Sequence, residues 1–280
     1  MHVLFFLCGF VAVAFVLVIP LYLIVSGLPA IREVGLVDFL FGTTWDSTNK
    51  TNPQYGILPF ILTSIYGTAG AILIGVPIGF MTAVFLAKVA PPKVASAIRP
   101  AVDLLAGIPS VVYGMVGMVI LLPGIRELFD LRAGDTLLAA IIVLAVMILP
   151  SIISVSETAL RAVPREYEEA SLALGATEIE TYFRVTAPAA KSGIAAAVVL
   201  GVGRAIGEAM AIMMVAGNAA NMPSLFSSVK FLTTAVASEM SYAPDGSLQK
   251  MALFSIGLVL FVFIMMINII LNVVLKREKE

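Results

Sequence analysis

Arg204 and Glu208 are ionisable residues set in an otherwise apolar run, Leu200-Gly201-Val202-Gly203-Arg204-Ala205-Ile206-Gly207-Glu208. An arginine at the centre of a membrane span costs roughly 2.5–3.5 kcal/mol on insertion scales. Its default reading is therefore functional. The planar guanidinium suits bidentate contact with phosphate oxygens. The i, i+4 spacing predicts that both side chains share one helix face within pairing range. Arg204 is expected to face a path through the membrane and attract an oxyanion, with Glu208 neutralising it when the path is empty. A structural ion pair tying this helix to a neighbour is the competing reading. Further upstream, Gly107 and Pro109 break a helix, and Ser110 and Tyr113 place hydroxyls near the membrane. These hydroxyls either line the same path or merely accompany the bend.

A second constellation lies in the charged loop 157–192, between long apolar stretches: Glu169, Ala170, Ser171, Gly175, Val185 and Pro188. Pro164 suits the first turn of a short helix, where its missing N–H is not needed. Glu166, Glu168 and Glu169 then sit where the helix dipole favours negative charge. Tyr167, Ala170 and Leu174 form a narrow apolar stripe. Gly175 is expected to end the helix in a left-handed turn. Thr177 and Glu180 have the spacing of a capping box for a second helix running toward Arg184, and Pro188 marks the return to the membrane. A rigid, amphipathic knob of this kind suits a groove on a soluble partner better than it suits lipid.

The elements that position these residues follow from hydropathy. The apolar fraction is 60% and the charged fraction 12%, against about 45–50% and 25% in soluble domains. A span needs roughly 20 apolar residues. Six transmembrane helices are expected near 3–27, 57–87, 105–125, 136–156, 193–216 and 251–275, making an all-α polytopic membrane protein. The first run lacks a basic leader and a cleavage site and reads as a retained helix rather than a signal peptide; a cytoplasmic leader is expected upstream of it. Residues 1–56 supply this helix and an extracytoplasmic loop, and 57–280 the core. Gly75/Gly79 and Gly203/Gly207 have the spacing of close helix packing.

Placing the even loops and C-terminus in the cytoplasm puts ten of the 17 lysines and arginines there: Lys88, Lys93, Arg99, Arg161, Arg165, Arg184, Lys191, Lys276, Arg277 and Lys279. Six fall outside: Arg32, Lys50, Arg126, Arg132, Lys230 and Lys250. Both termini are therefore expected to be cytoplasmic. The outer loops, about 28–56 and 217–250, are large enough to meet a soluble protein. One His and one Cys allow no His/Cys metal site, and a net charge of −1 gives no reason to expect nucleic acid. No G-x-x-x-x-G-K-[ST] phosphate loop is present. ATP chemistry by that route must belong to a partner.

The 169–188 pattern resembles the "EAA" loop of bacterial ABC importer permeases, with Ser171 in place of the second alanine and Ala187 where leucine is usual. Tyr55–Ile61, Leu105–Gly114, Arg161–Arg165, Gly203–Ala211 and Gly217-Asn218 are similar to the PstC-type permeases of phosphate-specific ABC importers. The resemblance implies a MetI-like type I importer fold. It also implies a PstA-like second permease, a PstB-like ATPase dimer binding ATP and magnesium inside, and a PstS-like phosphate-binding protein outside. The family's functional arginine and glutamate map onto Arg204 and Glu208. A permease for molybdate, tungstate or sulfate is the close alternative. A sensor or scaffold would not need both constellations, and the absence of a convincing inverted repeat weighs against a secondary transporter.

Overall fold

Residues 2–49 and 51–277 are described by the computed structural model, with side chains for 5–49 and 51–270. The side chains of Lys50, Lys276, Arg277 and Lys279, all used in the charge count, lie outside the described residues. Helix α1 (His2–Val34) is followed by a short α2 (Leu36–Phe41) and a hairpin of β1 (Trp45–Asp46) and β2 (Gln54–Tyr55), paired antiparallel. Helix α3 (Leu58–Val84) starts with Pro59 in its first turn and ends in a π-helical turn, Phe85–Val89. Helix α4 (Pro92–Gly107) starts at the expected Pro91-Pro92 bend.

Next come α5 (Ser110–Val116), a second π turn and α6 (Leu122–Leu128), which together form one span. Helix α7 (Leu137–Arg161) is capped by the Thr136 hydroxyl, which accepts from Ala139 N at 3.3 Å. The 157–192 loop holds α8 (Arg165–Ala173), α9 (Glu178–Thr181), a third π turn and α10 (Ala187–Ala189). Then follow α11 (Lys191–Gly207), α12 (Met210–Val215), α13 (Leu232–Glu239) and α14 (Leu248–Arg277).

Among the described residues, five helices are long and apolar enough to cross a membrane, or six if the pair meeting at 74° around Ala190 is one span. Two expected boundaries move. The third span starts at Ser110 rather than 105, because Ile108 and Pro109 are extended; proline lacks an N–H and disfavours helix in the residue before it. The expected 193–216 helix is two pieces, α11 and α12, separated at Glu208-Ala209.

Helix α7 is the central post, packed by α3, α11 and α4. A Cβ on Gly75 would stand 2.7 Å from Ile148 Cδ1, and one on Gly79 2.8 Å from Ile152 Cγ2. The Gly75/Gly79 pair is thus a close-packing seam against α7. Gly203 and Gly207 differ: a Cβ at either meets nothing within 4 Å. Their face of α11 is open within this chain. At one end of the bundle Trp45, Tyr55 and Phe60 pack with Leu232, Leu253 and Ile256. At the other, Ala83 and Val84 pack with Leu160, Val163 and Ala190 of the 157–192 loop.

Candidate functional site

Arg204 lies in the last turn of α11, half-buried, on the open glycine face. The helix ends at Gly207, and Glu208 is extended with ψ 129°. The expected single helix face for Arg204 and Glu208 therefore does not form, and the described residues contain no ion pair between them. Glu208 instead holds the break. Its Oε1 accepts from Ala211 N at 3.0 Å, and its backbone carbonyl accepts from the Thr233 hydroxyl at 2.7 Å. Two glycines near the helix end lower its propensity, and Thr233 supplies a partner for the carbonyl that the helix abandons.

The Gly107–Pro109 break sits close by. Tyr113 donates its hydroxyl to Leu105 O at 2.7 Å, tying α5 back across the break to α4. Helices α5 and α12 meet almost backbone to backbone, since a Cβ on Gly114 would lie 3.0 Å from Ala211 Cα. Tyr113 on α5 and Glu208 at the head of α12 thus lie on two interrupted spans that meet, with Arg204 one turn earlier on α11. Ser110 lies at the first residue of α5, half-buried, one turn before Tyr113.

The second constellation forms as expected from its local signals. Helix α8 starts after Pro164, and Gly175 takes φ 88°. Thr177 Oγ1 accepts from Glu180 N at 3.3 Å, while Thr177 N donates to Glu180 Oε2 at 3.0 Å, completing the capping box. Thr177 N and Thr177 Oγ1, each donating to Glu180 Oε2 at 3.0 Å, hold the Glu180 carboxyl below its ordinary value of 4.5. Glu169 and Ala170 are exposed on α8, Pro188 is exposed on α10, and Ser171 is half-buried. Leu174 is 90% exposed, with Tyr167 and Ile179 also uncovered. An apolar tip this open on an otherwise polar loop marks a contact surface.

Contacts that the sequence did not reveal fasten this loop. Glu168 forms an ion pair with Lys88 and accepts from Thr186 Oγ1 at 3.1 Å. Phe183 packs edge-on against Phe80 with ring centroids 6.3 Å apart. The partners are far apart in the chain, so no local spacing reveals them.

Residues 75–279 match the family described as "Binding-protein-dependent transport system inner membrane component". The chain is 38% identical to the "Probable ABC transporter permease protein YqgH" of Bacillus subtilis, covering 97% of this chain and 89% of that protein. It is 36% identical to the "Phosphate transport system permease protein PstC" of Haemophilus influenzae, covering 99% and 91%. In fold it resembles a chain of the bacterial alginate ABC transporter complex, with TM-score 0.69 and 15% identity over 98% of this chain and 94% of that one. A chain of the inward-facing MetNI methionine transporter gives TM-score 0.59 and 20% identity over 80% and 94%. The chain belongs to the family of binding-protein-dependent transport system inner membrane components, and it is a multi-pass membrane protein with the all-α fold of MetI-type permeases.

Proposed function

We propose that this chain is a membrane-spanning permease subunit of an ATP-driven phosphate importer and forms half of its translocation path. The observation that carries the reading is Arg204: a half-buried guanidinium on an open helix face, one turn before a span interruption, in a chain 36% identical to a phosphate permease. A fixed cation at a span interruption attracts an oxyanion, and its fork selects oxygen geometry over a simple point charge.

The remaining parts follow from this role. The 157–192 loop lies in the cytoplasm with both termini, and its uncovered Leu174 tip docks in a groove of a separate ATPase subunit that binds ATP and magnesium. A second, PstA-like permease completes the path. A PstS-like binding protein delivers phosphate to the opposite face, where the Trp45–Tyr55 hairpin and α13 lie. Closure of the ATPases rocks the two permeases between outward- and inward-facing states.

Uptake of radiolabelled phosphate by the reconstituted importer tests the reading, with molybdate and sulfate as competitors. Phosphate is expected to enter in an ATP-dependent manner, unaffected by equimolar molybdate or sulfate. Arg204→Lys should keep assembly yet cut uptake about tenfold, since lysine cannot reproduce the fork. Full uptake by an assembled Arg204→Lys importer would remove the anion role. Preferential entry of molybdate, tungstate or sulfate would replace phosphate as the cargo.

A further inference from the structure

The π-helical turn Phe85–Val89 collects contacts from four elements. Lys88 pairs with Glu168 on α8, and Tyr182 donates its hydroxyl to Lys88 O at 3.4 Å. Two residues earlier, Leu86 O lacks any partner along the chain. Its π-type partner would be Pro91, which has no N–H, and the Ala90 N–H is already spent on Phe85 O at 2.7 Å. Two arginines take its place: Arg161 Nη2 donates to Leu86 O at 2.7 Å and Arg99 Nη2 at 3.3 Å.

The same two guanidinium groups converge on one carboxylate oxygen. Glu157 Oε1 lies 2.7 Å from Arg99 Nε and 2.8 Å from Arg161 Nε. The Glu157 side chain is 10% exposed, and it lines a cavity of about 400 Å³ that Asp103 and Ser154 also border. Without that carboxylate the two arginines would face each other across one carbonyl oxygen. Glu157 is what allows α4, α7 and the end of α3 to meet there.

We propose that Glu157 is a positioning residue that couples the docking loop to the transport path, an inference resting on the permease reading above. The route is continuous. Glu168 on the docking helix holds Lys88, and the turn bearing Lys88 holds Arg99 on α4 through Leu86 O. Helix α4 runs on to Leu105, whose carbonyl holds the Tyr113 hydroxyl at 2.7 Å on α5, the helix that packs against α12 just after Glu208. A displacement of α8 reaches Tyr113 only while Glu157 clamps Arg99 and Arg161 together. Interruptions of the π type recur at functional positions in helices, and here the π turn is what frees the carbonyl.

The complete importer, reconstituted in proteoliposomes with its second permease, ATPase and binding protein, supplies the test. The readout is ATP hydrolysed per phosphate taken up. Glu157→Gln should raise that ratio about tenfold, with the ATPase still bound in its normal proportion. Arg99→Lys keeps the charge on a half-exposed arm but removes the fork, and should raise the ratio about threefold. It decides the matter if Glu157→Gln fails to assemble. Uptake and hydrolysis falling in proportion, or an unchanged ratio in the assembled variants, would overturn the coupling role. A wild-type importer that moves no phosphate would instead strike at the permease reading.

Discussion

The hydroxyls of Ser171 and Thr181 lie 2.8 Å apart, joining α8 to α9 across the Gly175 turn. Ser171 stands where the resembling loop pattern has alanine, so the departure carries a bond of its own. Thr181 is buried, and this bond satisfies its hydroxyl away from water. Together with the capping box it makes the loop a closed unit that can be pushed without folding up.

Replacing Ser171 by alanine leaves the buried Thr181 hydroxyl without its partner, at a cost of about 1 kcal/mol. The loop should still form, because Gly175 and the Thr177–Glu180 box remain. Amide exchange across α8 and α9 is expected to rise about fivefold in the assembled importer. Unchanged exchange would mean that the two arms are held by other contacts.

At Gly175 the surroundings impose nothing, since a Cβ there would meet no atom within 4 Å. Only the backbone objects, because φ is 88°. Gly175→Ala should therefore cost about 1 kcal/mol and weaken docking modestly. Gly175→Val adds β-branching at positive φ, a true conformational outlier, and should abolish co-purification of the ATPase. Equal docking by both variants would show that the left-handed turn is not what the partner reads.

The lowered Glu180 carboxyl gives the loop a pH dependence of known sign. Its folded value lies below the unfolded one because the Thr177 amide and hydroxyl bond the charged form. The stabilisation is complete above an unfolded value near 4.5 and disappears as pH falls through the lower folded value. Amide exchange in α9 should accelerate in that acid window, and Glu180→Gln should erase the step. An acid step that persists in Glu180→Gln would assign it to another group.

Legibility in the sequence tracks how far apart the determinants lie. The Gly175 turn and the Thr177–Glu180 box are readable because each is written within a few residues. Five of the six expected spans are readable from hydropathy, whereas the expected 193–216 span is interrupted at Glu208-Ala209. The Arg204–Glu208 pairing is misread because spacing assumes a helix that Gly207 ends and Thr233 helps to break. Lys88 and Glu168 are 80 residues apart, and Arg99 and Glu157 are 58 apart. No periodicity reports such partners, and the orphaned Leu86 carbonyl that draws two arginines together is visible only once the π turn is seen.

Glu208 gives a prediction that separates charge from geometry. Its Oε1 caps the start of α12 through Ala211 N at 3.0 Å. Glutamine retains that acceptor without the charge, whereas alanine loses both. If capping is the main duty, Glu208→Gln should transport within about twofold of wild type, and Glu208→Ala should lose about 1 kcal/mol of stability and most uptake. Equal loss in both variants would restore the carboxylate charge, rather than the helix break, as the working feature.

Glu239 anchors the opposite end of the bundle, and its removal should be the most damaging substitution there. Its carboxylate lies 2.6 Å from Lys230 Nζ, accepts from Trp45 Nε1 at 3.1 Å and from Ser47 Oγ at 3.2 Å. One side chain thus ties the 28–56 loop to the 217–250 loop. The Glu239 and Lys230 side chains are only 18% and 11% exposed. Glu239→Ala strands the ammonium, which lies 5.9 Å from the Phe60 ring centre, and leaves the Trp45 indole without its acceptor. Loss of about 3 kcal/mol is expected, read as a lower melting temperature of the detergent-solubilised importer. Glu239→Gln keeps an acceptor for Trp45 and should lose less. Adding Lys230→Met to Glu239→Ala should restore part of the stability, because the unpaired charge is then gone. Failure of the double variant to recover anything would locate the loss in the Trp45 and Ser47 bonds instead.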